Sequence, residues 1–142
     1  EYELADGETL ILDTGYLAAM TESVKMDIVT VKGVSNVLFG GEGLFNLSLS
    51  GTGIACLESN VPMEELIEVE LNNEELKIDG NLAVCWSSSL EFTVERTTKT
   101  LIGSAMSGEG LVNVYRGTGK VLMSPYAPTS SLYAFLSSSS VL

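Results

Sequence analysis

The chain has 142 residues, 19 acidic against 7 basic side chains, a net charge of −12, two cysteines and no histidine. Lacking histidine, it has no Ser-His-Asp or Cys-His catalysis, no imidazole metal ligand and no imidazole pH switch. A pI near 4.1 makes nucleic acid and anionic membranes poor partners, because the protein would approach a polyanion against its own field.

Hydrophobic residues make up 45% and charged residues 18%, which predicts a folded core in one domain or two small ones. No apolar run approaches the roughly 18 residues of a spanning helix, and no basic-then-apolar leader is present. The expectation is a soluble, cytoplasmic protein with no membrane span. The first residue is Glu1 and not Met, so a leader or a longer upstream segment would lie outside this sequence.

In chain order, alternating apolar and polar residues mark strands at Val24–Ile28, Phe45–Leu49, Ile67–Leu71, Leu90–Glu95 and Val112–Tyr115, with a further strand at Leu82–Trp86. Alternation of period two predicts one buried face per strand. Turn signals separate them at Asp6-Gly7, Thr14-Gly15, Lys32-Gly33, Gly40-Gly41, Gly51-Thr52-Gly53, Asn72-Asn73, Asp79-Gly80 and Gly117-Thr118-Gly119. Only Val34 to Phe39 and Pro62 to Glu65 suit a helical turn. Short strands broken by Gly and Asn turns predict an all-β fold, an antiparallel sandwich or roll.

The strands belong to an internal duplication. Glu42-Gly43-Leu44-Phe45-Asn46, followed by Gly51-Thr52-Gly53, recurs as Glu109-Gly110-Leu111-Val112-Asn113, followed by Gly117-Thr118-Gly119. Glu1-Tyr2-Glu3-Leu4 matches Glu68-Val69-Glu70-Leu71, and Leu12-Asp13 matches Ile78-Asp79. The expected organisation is a first β repeat over 1–67, a second over 68–125 packed with it as one domain, and a tail over 126–142. The apolar Leu132, Tyr133, Phe135 and Leu136 of that tail are expected to pack on the body or on a neighbouring subunit. Charge divides unevenly: residues 1–70 hold 13 acids and 2 bases, residues 71–142 hold 6 and 5.

Few residues suggest chemistry. Leu12-Asp13-Thr14-Gly15 looks like the catalytic loop of an aspartic protease, and Asp79-Gly80 occupies the matching place, so a hydrolase using Asp13 and Asp79 is one alternative. The second copy lacks the hydroxyl residue that braces the carboxylate, which favours an Asx-type turn. The glycine clusters suggest a phosphate cradle, but none continues as a P-loop, and tight turns are the better reading. Acids Glu64, Glu65, Glu68, Glu70, Glu74 and Glu75 gather at the junction without calcium-loop spacing and read as a solvated face. Cys56 and Cys85 read as reduced thiols, with a disulfide as the alternative, and Trp86 reads as core. Asn46-Leu47-Ser48 matches a glycosylation sequon by chance. No catalytic, cofactor or metal site is expected.

Gly7-Glu8-Thr9-Leu10-Ile11-Leu12-Asp13-Thr14-Gly15-Tyr16-Leu17-Ala18 and Leu38-Phe39-Gly40-Gly41-Glu42-Gly43-Leu44-Phe45 resemble the family grouped under mitochondrial biogenesis and altered mitochondrial inheritance. Its fold is similar to the tryptophan RNA-binding attenuation protein (TRAP-like). The resemblance covers about 1–125 and implies two tandem repeats of a β-sandwich-like unit that forms rings or small symmetric oligomers. It implies no catalytic residue. RNA binding does not carry over, because the basic residues that read RNA in the attenuation protein have no counterparts here. The expected function is non-enzymatic homo-oligomeric assembly; a small-ligand binding module is the alternative.

Overall fold

A computed structural model of the chain describes residues 1–33, 45–79, 82–96 and 111–126. The strands are β1 (Tyr2–Leu4), β2 (Thr9–Asp13), β3 (Leu17–Met20), β4 (Lys25–Thr30), β5 (Lys32–Gly33), β6 (Phe45–Ser50), β7 (Gly53–Leu57), β8 (Ile67–Asp79), β9 (Ala83–Ser87), β10 (Glu91–Arg96) and β11 (Leu111–Met123). Single 3-10 turns lie at Thr14–Tyr16 and Met63–Glu65, the latter where Pro62 had suggested one. The expected all-β class holds: among the described residues the sheets are antiparallel but for one short contact, and no barrel closes. A three-stranded sheet runs β1-β7-β3, and a larger one runs β4-β6-β2-β9-β11-β10-β5 with β8 also on β11. None of the described helices is long and apolar enough to cross a membrane.

Ladders in the first half have counterparts 66 residues on. Lys25 opposite Ser50 is matched by Glu91 opposite Arg116, and Asp13 opposite Asn46 by Asp79 opposite Val112. Even an irregularity recurs, between Leu17 and Ala19 on β3 and between Ala83 and Cys85 on β9. Asn46 therefore shares its register with Val112, one place from the Asn113 that motif matching suggests. A small turn changes the strand count. Ala5 to Glu8 turn the chain between β1 and β2 through Gly7 at φ 78, whereas Asn72 to Glu74 make a bulge through Asn73 at φ 54 and leave β8 one long strand.

The core has two centres. One gathers Leu4, Leu10, Leu12, Val24, Leu49 and Ala55 from the first half, with Cys85 from the second. The other gathers Leu71, Ile78, Trp86, Leu90, Tyr115 and Val121 from the second half, with Ile11 from the first. Trp86, Phe92 and Tyr115 form a ring cluster with centroids 4.9 to 5.2 Å apart, so Trp86 is core as expected. Period-two alternation explains the exchange. Leu10 and Leu12 point into their own half, and Ile11 between them points into the other.

Three expectations change. Asn72-Asn73, expected as a turn between strands, lies inside the continuous strand β8. The Val24–Ile28 run does not bury its apolar face: Val24 is 4% exposed, but Met26 is 48% and Ile28 70% exposed. No described element lies over that strand, which ends the larger sheet. Lys32-Gly33, expected as a turn, is a strand that pairs in parallel with β10, Lys32 opposite Thr93 and Gly33 opposite Val94. The Val34–Phe39 segment, the Gly40-Gly41 turn, the Glu42-Gly43 and Glu109-Gly110 motifs, Gly80 and the apolar tail lie outside the described residues.

Candidate functional site

Asp13 ends β2, and its Oδ1 accepts hydrogen bonds from the Gly15 N–H at 3.1 Å and the Thr14 hydroxyl at 3.4 Å. That is an Asx turn capping the 3-10 turn, as favoured. Asp79 ends β8 opposite Val112, so the two aspartates close different ladders.

The Gly-Thr-Gly motifs receive turns. Thr21 to Val24 turn tightly, with the Val24 N–H bonded to the Thr21 carbonyl, and the Thr21 hydroxyl accepts from the Ile54 N–H at 3.1 Å. Ser87 to Leu90 repeat this, with the Ser87 hydroxyl accepting from the Lys120 N–H at 3.0 Å. A Cβ on Gly53 would fall 2.7 Å from the Ser23 hydroxyl and 2.9 Å from Val24, and one on Gly119 2.9 Å from Ser87 and Ser89. Gly51 and Gly117 add positive φ, at 98 and 120. The glycines are there because a neighbouring turn occupies the side-chain space.

Three of the six acids at the junction, Glu68, Glu70 and Glu75, are in ion pairs. The Arg116 guanidinium donates to Glu75 and Glu95, each at 2.6 Å, and Lys77 lies 3.2 Å from Glu75 and 3.7 Å from Glu95. Lys120 lies 2.8 Å from Glu68 and 3.1 Å from Glu70. Lys77 and Arg116 hold the Glu75 carboxyl below its ordinary value, and Arg116 does the same for Glu95. Among the described residues no group of three or more acids or cysteines is placed to hold a metal. Sequence reading located the acids but missed Arg116 as their organiser; its place two residues beyond Val114, opposite an acidic strand, was the available signal.

Cys56 and Cys85 are free. Cys85 is buried, and desolvation pushes its thiol up to about 12. Asn46 is 7% exposed, so the folded chain does not present its sequon. Among the described residues are two half-open depressions. One of about 190 Å³ lies where the halves meet, among Ile11, Val29, Asn46, Trp86, Glu91 and Phe92; the other, of about 230 Å³, lies among Tyr2, Leu57, Val61, Met63 and Leu122. Both are smaller than the roughly 300 Å³ at which small-molecule sites begin.

The strongest surface feature is the β3–β4 side of the first half. Met20, Met26, Ile28 and Val29 are 39, 48, 70 and 40% exposed. Among the described residues β3 pairs only with β7 and β4 only with β6, so each has one edge with no described partner. Their counterparts are closed: Trp86 and Val94 are each 4% exposed, under Ile11 and beside β5.

The sequence profile described as mitochondrial biogenesis AIM24 matches residues 1–126. The chain belongs to the AIM24 family. Among solved structures, this family member is similar to the crystal structure of protein SPYM3_0169 from Streptococcus pyogenes, with TM-score 0.71 and 21% identity over 96% of this chain. The chain spans 57% of the length of that protein. No curated protein matches it. The likeness establishes a shared fold and nothing about activity.

Proposed function

We propose that this AIM24 family chain acts without catalysis, as an assembly unit of two copies of one β unit that associates with further copies of itself in the cytoplasm. The observation that carries the reading is the unequal burial of corresponding strands. Val94 on β10 is 4% exposed and Ile28 on β4 is 70% exposed, although both strands pair with their neighbours in the same register. An apolar edge strand left open is a template for association unless something covers it. The matched ladders support descent from one unit, and the free thiols suit a reducing compartment. The acid excess argues against nucleic acid as the partner.

Light scattering on the purified chain tests the reading. Assembly predicts a mass above that of one chain at micromolar concentration, and a monomer throughout would refute it. A thermal-shift screen tests the small-ligand alternative, since a ligand that binds the folded state raises the melting temperature with its concentration.

A further inference from the structure

The second depression is mostly apolar and lies beside the place where the described chain ends. Its walls come from both halves: Tyr2 and Leu57 from the small sheet, Val61 and Leu66 from the crossing between β7 and β8, Val84 from β9 and Leu122 from β11. Met63 also lines it and is 64% exposed. The Tyr2 hydroxyl is already committed to Glu8. At about 230 Å³ this half-open hollow exceeds the roughly 150 Å³ that admits a benzene ring, so one aromatic side chain fits it.

The crossing that walls the hollow also holds the end of the described chain. The Asn60 amide donates to the Tyr126 carbonyl at 3.1 Å, and the Tyr126 hydroxyl donates to Glu65 at 3.3 Å. Residues 127–142 follow and lie outside the described part. None of them is charged, and after Thr129-Ser130-Ser131 they bring Leu132, Tyr133, Phe135 and Leu136 close together. Leu132 is six residues beyond Tyr126, a reach of up to roughly 20 Å.

We infer that residues 132–136 of this chain occupy the hollow, with the Phe135 ring as the group that fills it. Three observations select this occupant. The first is chemistry: Phe135 brings a ring with no hydroxyl to satisfy, whereas Tyr133 would bury one among aliphatic side chains. The second is the tether. A connection this short, fixed at Asn60 and Glu65, holds the segment at an effective concentration on the order of millimolar, which a free partner at micromolar concentration does not reach. Charge is the third. Glu1, Glu58, Glu64 and Glu65, in the segments that line the hollow, are all exposed. A second copy would bring a net charge of −12 to them, while residues 127–142 bring none.

Peroxide oxidation of the methionines in the full chain, followed residue by residue by mass spectrometry, tests this. Leu132→Ser combined with Phe135→Ser is expected to raise the oxidation rate of Met63 severalfold and to leave Met20 and Met26, on the β3–β4 side, as they were. Phe135→Leu, which keeps an apolar side chain, should fall between the two. The protection of Met63 should not change on dilution, because the occupant is part of the same chain. Equal Met63 rates in the unaltered chain and the double variant would overturn the inference. Protection that fades on dilution would assign the hollow to a second copy and overturn it as well. A uniform rise at Met20, Met26 and Met63 would mean that the substitutions loosen the whole body, and would overturn the hollow as the seat of these residues.

Discussion

β4 and β10 are built alike and live differently. Each pairs along six residues with an equivalent neighbour in the same register, and each alternates polar with apolar residues over its first four positions. β10 is covered, because β5 lies along it and Val31 beside β5 is buried; β4 has no such cover among the described residues. Burial of a strand face is thus set less by its own pattern than by whether another unit lies over it. Apolar residues on both strands are what a chain needs if both are to be covered once it associates.

Charge substitution separates the two strands most strongly. Val94→Lys is expected to cost on the order of 4 kcal/mol or to prevent folding, because it buries an unpaired ammonium, whereas Ile28→Lys changes stability of the isolated chain by no more than about 0.5 kcal/mol. Urea denaturation of both reads this, and equal losses would break the comparison. Next come Trp86 and its exposed counterpart. Trp86→Ala is expected to lose about 3 kcal/mol as a cavity opens beside Phe92 and Tyr115, and Met20→Ala less than about 1 kcal/mol, by the same measurement.

Glycines rank third. Gly53→Ala and Gly119→Ala should each cost about 1–3 kcal/mol, since the added methyl meets the facing turn in both halves. Gly7→Ala, with positive φ but open space, should cost about 1 kcal/mol. A smaller effect is kinetic: with a thiol reagent at neutral pH, Cys56, half-buried on β7, is expected to react in the native protein. Cys85, buried and pushed up to about 12, should react only on unfolding. Rapid reaction of both would show that the core opens where the halves meet.

The weakest effect belongs to the Arg116 cluster, whose first-half counterparts Thr9, Val29 and Ser50 carry no charge. Because Glu75 and Glu95 have lowered folded values, their contribution is present above the ordinary carboxylate range and is lost as pH falls through those lowered values. Glu75→Gln combined with Glu95→Gln should lower the urea midpoint slightly at pH 7, with a gap that narrows as pH falls below the ordinary carboxylate range and also shrinks in salt. A gap that does not narrow at all on acidification would mean that the glutamates act through packing.

Much of this was legible in the sequence, for identifiable reasons. Alternation at Phe45–Leu49 and Leu90–Glu95 marks strands because a pleated strand sends successive side chains to opposite faces. Gly51-Thr52-Gly53 and Gly117-Thr118-Gly119 stood out because only glycine tolerates their backbone and their close neighbours. Asp13 read as a turn because its oxygen reaches the Gly15 N–H locally. What escaped was non-local. Ile11 looks like one more residue in an apolar run, yet it is the residue that enters the other half's core, and Lys32-Gly33 has a turn's composition but becomes a strand through β10.

The sequence by itself determined six of the strands, turns such as those at Gly7 and Gly15, and the class of fold, because these rest on periodicity and on backbone freedom within a few residues. Only the tertiary structure decided which apolar faces are covered, since cover for Val94 and Trp86 comes from residues more than fifty positions away. It alone distinguished Ile28 from Val94. The two lie in equivalent strands with the same pattern in the residues before them, and they differ in what the fold brings to lie against them.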